Sequence, residues 1–483
     1  MRRQHPALDR SSEAFDESGG PTYASPGWPA PAAPIRLFLI AALGLLAPAC
    51  GRPLGSWFGQ GPGPDPETPL PIWAHWGGTP GRTGQSPFLG PSRGELAVIP
   101  LVAPTEEDRP QVTHVIPGAI DANGLVYALA RDADNSGWLF GIGIDLRPFW
   151  TYRPPYGSVS GLPLVISGGD LIVESRDERL HGPMSEWYVP LVLSVRPLEG
   201  EAWTFYPQTD ALCSQYFATS LPLAGPEGTL YLAMTAGHVE NQLHALGPDG
   251  SVLWQWNRSA GWRTSSALGP DGTLYLAVSE SSNTRLFALG PDGQILWSTR
   301  APGPSYTGIG LLDVIAVDPE GRLFAAGEGR LHAFSDRGQL LWTAQTPEST
   351  VTAGIAVAPD GTLLLGTQTT PSGEEPPTGW LHAFGGNGAG LWSQSLDRVP
   401  CGIPAVDAEG TAYVVARAVN TGQKSQLIAM TGAGELRFKT AFDDAFMPCG
   451  QGNNAWYVSS PMLDARGRLW FGTHSNRLLV ITR

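Results

Sequence analysis

A Gly-centred hairpin that returns eight times, an aromatic residue closing the hairpin after it, and a turn-rich composition predict an all-β chain, an eight-bladed β-propeller of four-stranded antiparallel blades. The copies read IDANGLVYALA, ISGGDLIVES, AGPEGTLYLA, LGPDGTLYLA, VDPEGRLFAA, APDGTLLLGT, VDAEGTAYVV and LDARGRLWFG. Their turn glycines, Gly124, Gly169, Gly228, Gly272, Gly321, Gly361, Gly410 and Gly467, lie 45, 59, 44, 49, 40, 49 and 57 residues apart, which leaves room for four short strands per unit. In the segment RLFALGPDGQILWST, Leu286, Ala288 and Leu296 alternate with residues of another character, and Gly290 to Gly293 supply the turn. The second hairpins end in Trp150, Trp203, Trp254, Trp297, Trp342, Trp392 and Phe438, expected to wedge between blades as core.

The eighth copy stops after one further strand, NRLLVIT, and lacks its last. The segment RGELAVIPLV, residues 93–102, reads as a strand without a blade. Because an open blade edge exposes unpaired backbone groups, this N-terminal strand is expected to complete the last blade and close the ring. The second copy lacks the Pro-Asp-Gly turn, and its 59-residue interval leaves room for an insertion near residues 174–188, so seven blades stand as the alternative.

Ahead of the propeller, assigned to residues 71–483, residues 1–35 read as a disordered extension and 36–50 as an export signal: Arg36, then an apolar run too short to span a bilayer. Cys50 directly after Ala49 resembles the lipobox of bacterial lipoproteins, with Ala47 where Leu is usual. That resemblance implies lipidation at Cys50, and the Gly/Pro-rich stretch 51–70 is the tether it needs. Ordinary signal cleavage, or an uncleaved anchor, is the alternative. A net charge of −14 without a basic run excludes a nucleic-acid binder and leaves the lipid anchor as the membrane contact.

At residues 73–86 the chain reads WAHWGGTPGRTGQS, and with the repeats this resembles the pyrroloquinoline-quinone-like propeller proteins. That family contains quinone dehydrogenases and non-catalytic envelope scaffolds. The enzymes would require a vicinal Cys-Cys disulfide and a calcium held by Glu, Asn and Asp beside a catalytic Asp. No two cysteines here are adjacent and no acidic set aligns, so no catalytic, cofactor or metal residue is carried over. The resemblance implies an exported binding or assembly scaffold at the bacterial envelope, a monomer recognising an envelope protein, peptide or glycan. The alternative is an enzyme, either of the quinone-dependent type or a channel-centred hydrolase or lyase.

Cys401 and Cys449 precede the first hairpins of blades 7 and 8, on one face of adjacent blades, and are expected to form a disulfide, with two buried thiols as the alternative; Cys213 would stay free. Asp132, Asp134 and Ser136 imitate the front of a calcium loop, but position twelve is Gly143, so a hairpin turn is expected. His244, His332 and His382 recur in a Leu-His-Ala context, which suits a framework role. The segments leading from blade to blade carry the candidate binding surface: Tyr216, Trp262, Arg263, Tyr306, Asn453, Asn454 and Trp456 offer aromatic platforms and amide donors.

Overall fold

The computed structural model describes Trp73 and residues 78–93, 95–102, 112, 114–132, 137–155, 164–165, 169–177, 189–206, 222–236, 240–258, 264–280, 283–303, 315–348, 350–369, 376–420, 422–443, 460–473 and 475–482. These form eight antiparallel sheets. Seven follow the chain in order, as blade 4 does with strands Thr264–Leu268, Leu274–Glu280, Asn283–Leu289 and Ile295–Arg300. Blade 6 carries a divided first strand, Thr350–Val351 and Ala356–Val357. In blades 1 to 5 the first strand of each blade touches the first strand of the next; blades 5, 6 and 7 continue the contact through neighbouring strands. Phe442 meets Phe471 at 5.1 Å between blades 7 and 8, and strand His114–Ile120 of blade 1 touches Leu469–Gly472 and Arg477–Ile481 of blade 8. The ring is therefore closed.

The eighth blade is completed as expected. Strand Leu96–Pro100 pairs antiparallel with Arg477–Ile481, Ala97 opposite Val480 and Val98 opposite Leu479. Leu101 N to Asn476 O (2.8 Å) and Thr482 N to Glu95 O (3.2 Å) extend the ladder at both ends. The widest apolar cluster lies at this seam, joining Tyr413 and Val415 of blade 7, Trp470 and Phe471 of blade 8, and Ile120 and Phe140 of blade 1.

Alternation holds less widely than the sequence suggests. In the third strand of blade 4, Leu286, Phe287, Ala288 and Leu289 are all buried, because a blade packs against a neighbour on each side. Only the outermost strands keep mostly exposed residues, as Ile295–Arg300 does.

Five of the repeat tryptophans, those of blades 2 to 6, lock their blade to the next. The indole N–H of Trp203, Trp254, Trp297, Trp342 and Trp392 donates to the carbonyl oxygen of Pro248, Pro291, Asp336, Gly386 and Gly432 at 2.7–3.0 Å, in each case across to the following blade. The ring lies on the turn glycine: a Cβ on Gly293 would stand 2.7 Å from Trp254, and Gly293 also needs φ +80°. Indole and glycine are thus one unit spread over two repeats.

The closing junction, from blade 8 to blade 1, is built differently. Ala97 holds the register position of the tryptophan, and with no ring to receive, the turn of blade 1 places Leu146 (φ +67°) where the turns of blades 3 to 7 carry glycine. The missing indole hydrogen bond is replaced by Arg468, whose guanidinium donates to Ile144 O at 2.7 Å, the equivalent carbonyl. Arg468 also pairs with buried Asp464 at 2.6 Å and lies 5.1 Å over the ring of Trp470.

Candidate functional site

The segment that carries the family resemblance crosses the ring at one end of its inner strands. Trp73 exchanges both backbone hydrogen bonds with Ile120 of blade 1 (3.0 and 2.8 Å). Pro80 O then accepts from Leu268 N, Gly81 O from Val317 N, Thr83 O from Val357 N and Gly84 O from Val406 N, all at 2.8–2.9 Å. Those four donors are the last residues of the first strands of blades 4, 5, 6 and 7, so Pro80, Gly81, Thr83 and Gly84 step from blade to blade with Arg82 at the midpoint. Ser86 N to Val406 O (2.8 Å) and Ala408 N to Phe88 O (3.0 Å) finish the path on blade 7.

Close approach dictates the glycines of this strap. A Cβ on Gly81 would lie 2.4 Å from Val317 O, and one on Gly84, at φ +66°, 2.1 Å from Pro404 O. Between them Arg82, itself at φ +57°, is 1% exposed and donates to Ser266 Oγ at 3.5 Å. Gly81→Ala is expected to push the strap off Val317 and destabilise the protein by about 1–3 kcal/mol. Urea unfolding followed by tryptophan fluorescence measures this; a midpoint like the parent's would mean that the strap does not dock here.

The inter-blade segments join the inner strands at the opposite end: the one carrying Trp262 and Arg263 enters blade 4 at Thr264, whereas the strap binds that strand at Leu268. Tyr216, Trp262, Arg263, Tyr306, Asn453, Asn454 and Trp456 all lie outside the described residues, as do Cys50, Cys213, Cys449, Asp134 and Ser136. Cys401 lies in the first strand of blade 7, 1% exposed, and is disulfide-bonded. Asp132 is buried and accepts from the indole of Trp138 at 3.3 Å.

The three repeat histidines sit at one position of the third strand in blades 3, 5 and 6, each buried. Burial pushes the imidazoles of His244 and His332 down to about 4, with the Arg330 charge adding to the effect on His332. Both are neutral framework groups at physiological pH. Among the described residues no three His, Cys, Asp or Glu side chains are grouped to hold a metal ion, and no helix is long and apolar enough to cross a membrane.

Residues 239–374, from the second half of blade 3 into blade 6, match the family model described as Outer membrane protein assembly factor BamB. No curated protein matches the chain. Among solved structures, a protein of unknown function from Bacteroides caccae aligns at 14% identity over 59% of this chain and 94% of its own, with a TM-score of 0.33. The WD40 domain of SCAP from fission yeast aligns at 9% identity over 80% of this chain and 98% of its own, with a TM-score of 0.45. The WD40 propeller domain of Doa1 gives 12% identity, 81% and 97% coverage and a TM-score of 0.39. The chain is an eight-bladed propeller, and its blades 3 to 6 carry the repeats that this family model matches.

Proposed function

We propose that the protein is a binding or assembly scaffold of the bacterial envelope, which recognises an envelope protein, peptide or glycan through the inter-blade loops on one face. The observation that carries this reading is the strap. It occupies the ends of the first strands of blades 1 and 4 to 7 on the opposite face through backbone hydrogen bonds, and in this reading the inter-blade segments with Tyr216, Trp262, Arg263, Tyr306, Asn453, Asn454 and Trp456 supply the variable recognition surface. The match of blades 3 to 6 to a model named for an assembly factor favours the same role. In this reading Cys50 carries the lipid that holds a monomeric propeller at the membrane, Cys401 pairs with Cys449 to brace blades 7 and 8, and no cofactor takes part.

Site-specific photo-crosslinking in the native envelope tests it. A crosslinker at Trp262 or Tyr306 should give one discrete adduct, whereas one at Asp271 or Glu409, in turns beside the strap, should give none. Equal labelling from both faces would overturn the assignment of the face. Saturable binding of pyrroloquinoline quinone with calcium, accompanied by alcohol oxidation, would overturn the scaffold reading itself.

A further inference from the structure

We propose that Ser393, on the outer rim of blade 6, is an activated nucleophile served by His382 and Glu348, and that this rim hydrolyses small activated carboxylic esters. Ser393 is exposed on the outermost strand Gly390–Leu396, and His382 stands directly opposite it on the third strand, Gly379–Phe384. The serine Oγ lies 2.8 Å from His382 Nδ1. On the far side of the ring, His382 Nε2 lies 2.9 Å from Glu348 Oε2, which comes from the linker entering blade 6. Thr367 Oγ1 completes the cluster, 2.9 Å from Nε2 and 3.3 Å from the carboxylate.

The proton positions follow from donor and acceptor chemistry. An ionised carboxylate only accepts, so it takes the N–H of Nε2, and Nδ1 is left with its lone pair toward Ser393. The hydroxyl then donates to Nδ1, the arrangement a general base requires. Trp380 stacks along the imidazole at 6.2 Å with 9° between planes and Phe384 flanks it at 6.3 Å, which fixes the ring's orientation. Burial holds the His382 pKa below its ordinary value against the opposing pull of Glu348, the charged group facing it, so the base is unprotonated near neutrality.

A simple framework hydrogen bond explains less. Blade 5 has Thr343 Oγ1 at 2.8 Å from His332 Nδ1, and blade 3 has Gln255 opposite His244, whose Nε2 faces Gln242 at 3.2 Å. Among the described residues blade 6 alone joins a primary hydroxyl, the imidazole and a carboxylate. Burying Glu348 to 6% side-chain exposure beside a neutral ring has a desolvation cost that packing alone does not require.

In the reaction the Ser393 Oγ–H proton passes to His382 Nδ1 as Oγ bonds to the ester carbonyl carbon. The C–O bond to the leaving group breaks and the departing alkoxide takes that proton. Water, deprotonated by the same nitrogen, then cleaves the acyl-serine to release the carboxylic acid and restore the hydroxyl. Ser393 and His382 are the catalytic residues, and Glu348 is a positioning residue. The outer strand is a sheet edge whose alternate N–H groups point outward as donors for the developing oxyanion. The site is open, so it takes small, reactive esters rather than a deeply bound substrate.

The test uses the full chain with a fluorophosphonate probe and with p-nitrophenyl acetate. The adduct should map to Ser393, vanish in Ser393→Ala and slow by about 100-fold in His382→Gln. Glu348→Gln should slow labelling less and move the acid limb of its pH profile, which a purely structural glutamate would not do. Melting curves identify any variant that fails to fold, and Ser393→Ala, at an exposed position, keeps the test valid if His382→Gln does. An unlabelled Ser393, or labelling whose rate ignores His382, overturns the proposal and leaves the scaffold reading where it stands.

Discussion

Lowering the pH from 6.5 to 4 is expected to remove about 3 kcal/mol of stability for each of His244 and His332. Both imidazoles are held neutral by burial in the folded ring, down to about 4 against an ordinary 6.5. Between those values the unfolded chain binds protons that the folded chain does not, so the stability they allow is complete above pH 6.5 and is lost as the pH falls toward 4. Two such groups give a slope of about 1.4 kcal/mol per pH unit at pH 6.5, steepening to about 2.7 midway toward pH 4. Urea midpoints at pH 6.5, 6.0, 5.5 and 5.0, where most carboxylates remain ionised, measure it. The double variant His244→Gln with His332→Gln should flatten the dependence. A midpoint constant over that range in the parent protein would show that these rings are accessible to protonation in the folded state.

Arg468→Ala is expected to cost about 3–5 kcal/mol, because it leaves the carboxylate of Asp464 buried without its cation. It also frees Ile144 O, a turn carbonyl that no indole serves. Arg322→Ala in blade 5 is the internal comparison. Arg322 makes the same i,i+4 pair with Asp318 at 2.7 Å and reaches Gly386 O at 3.2 Å, but its side chain is 31% exposed and Trp342 also serves that carbonyl. The blade 5 variant should therefore lose less than half as much in denaturant unfolding. Equal losses would contradict a special role for Arg468 in closing the ring.

Most of this architecture was legible in the residues. The Gly-centred copies and their aromatic partners place seven blades, and the truncated eighth copy together with the orphan segment before the first predicts the closing strand. What periodicity misreads is burial: Phe287 and Leu289 break the expected alternation because blades cover both faces of their middle strands. The strap was legible as a motif but not as a location. Nothing local in Pro-Gly-Arg-Thr-Gly says that its carbonyls meet blades 4 to 7, although two glycines around a buried arginine mark a close backbone approach in retrospect. The Ser393–His382–Glu348 cluster was illegible for a similar reason. His382 was visible as one of three repeat-equivalent histidines, but Glu348 comes from a linker without repeat equivalents, and only the third and fourth strands' register brings Ser393 to the ring.

The seam between Leu96–Pro100 and Arg477–Ile481 is where one measurement decides most, since it joins the two ends of the propeller. Successive pairs in an antiparallel ladder alternate between hydrogen-bonded and non-hydrogen-bonded, and side chains approach more closely in the latter. Of the two adjacent double variants, Ala97→Cys with Val480→Cys and Val98→Cys with Leu479→Cys, one should therefore form a disulfide readily. A closed ring predicts an engineered link between peptides from the two ends, mapped by mass spectrometry without reductant, and a higher melting temperature that falls back when the link is reduced. Failure of both pairs to link in folded protein would contradict the closed eight-bladed ring.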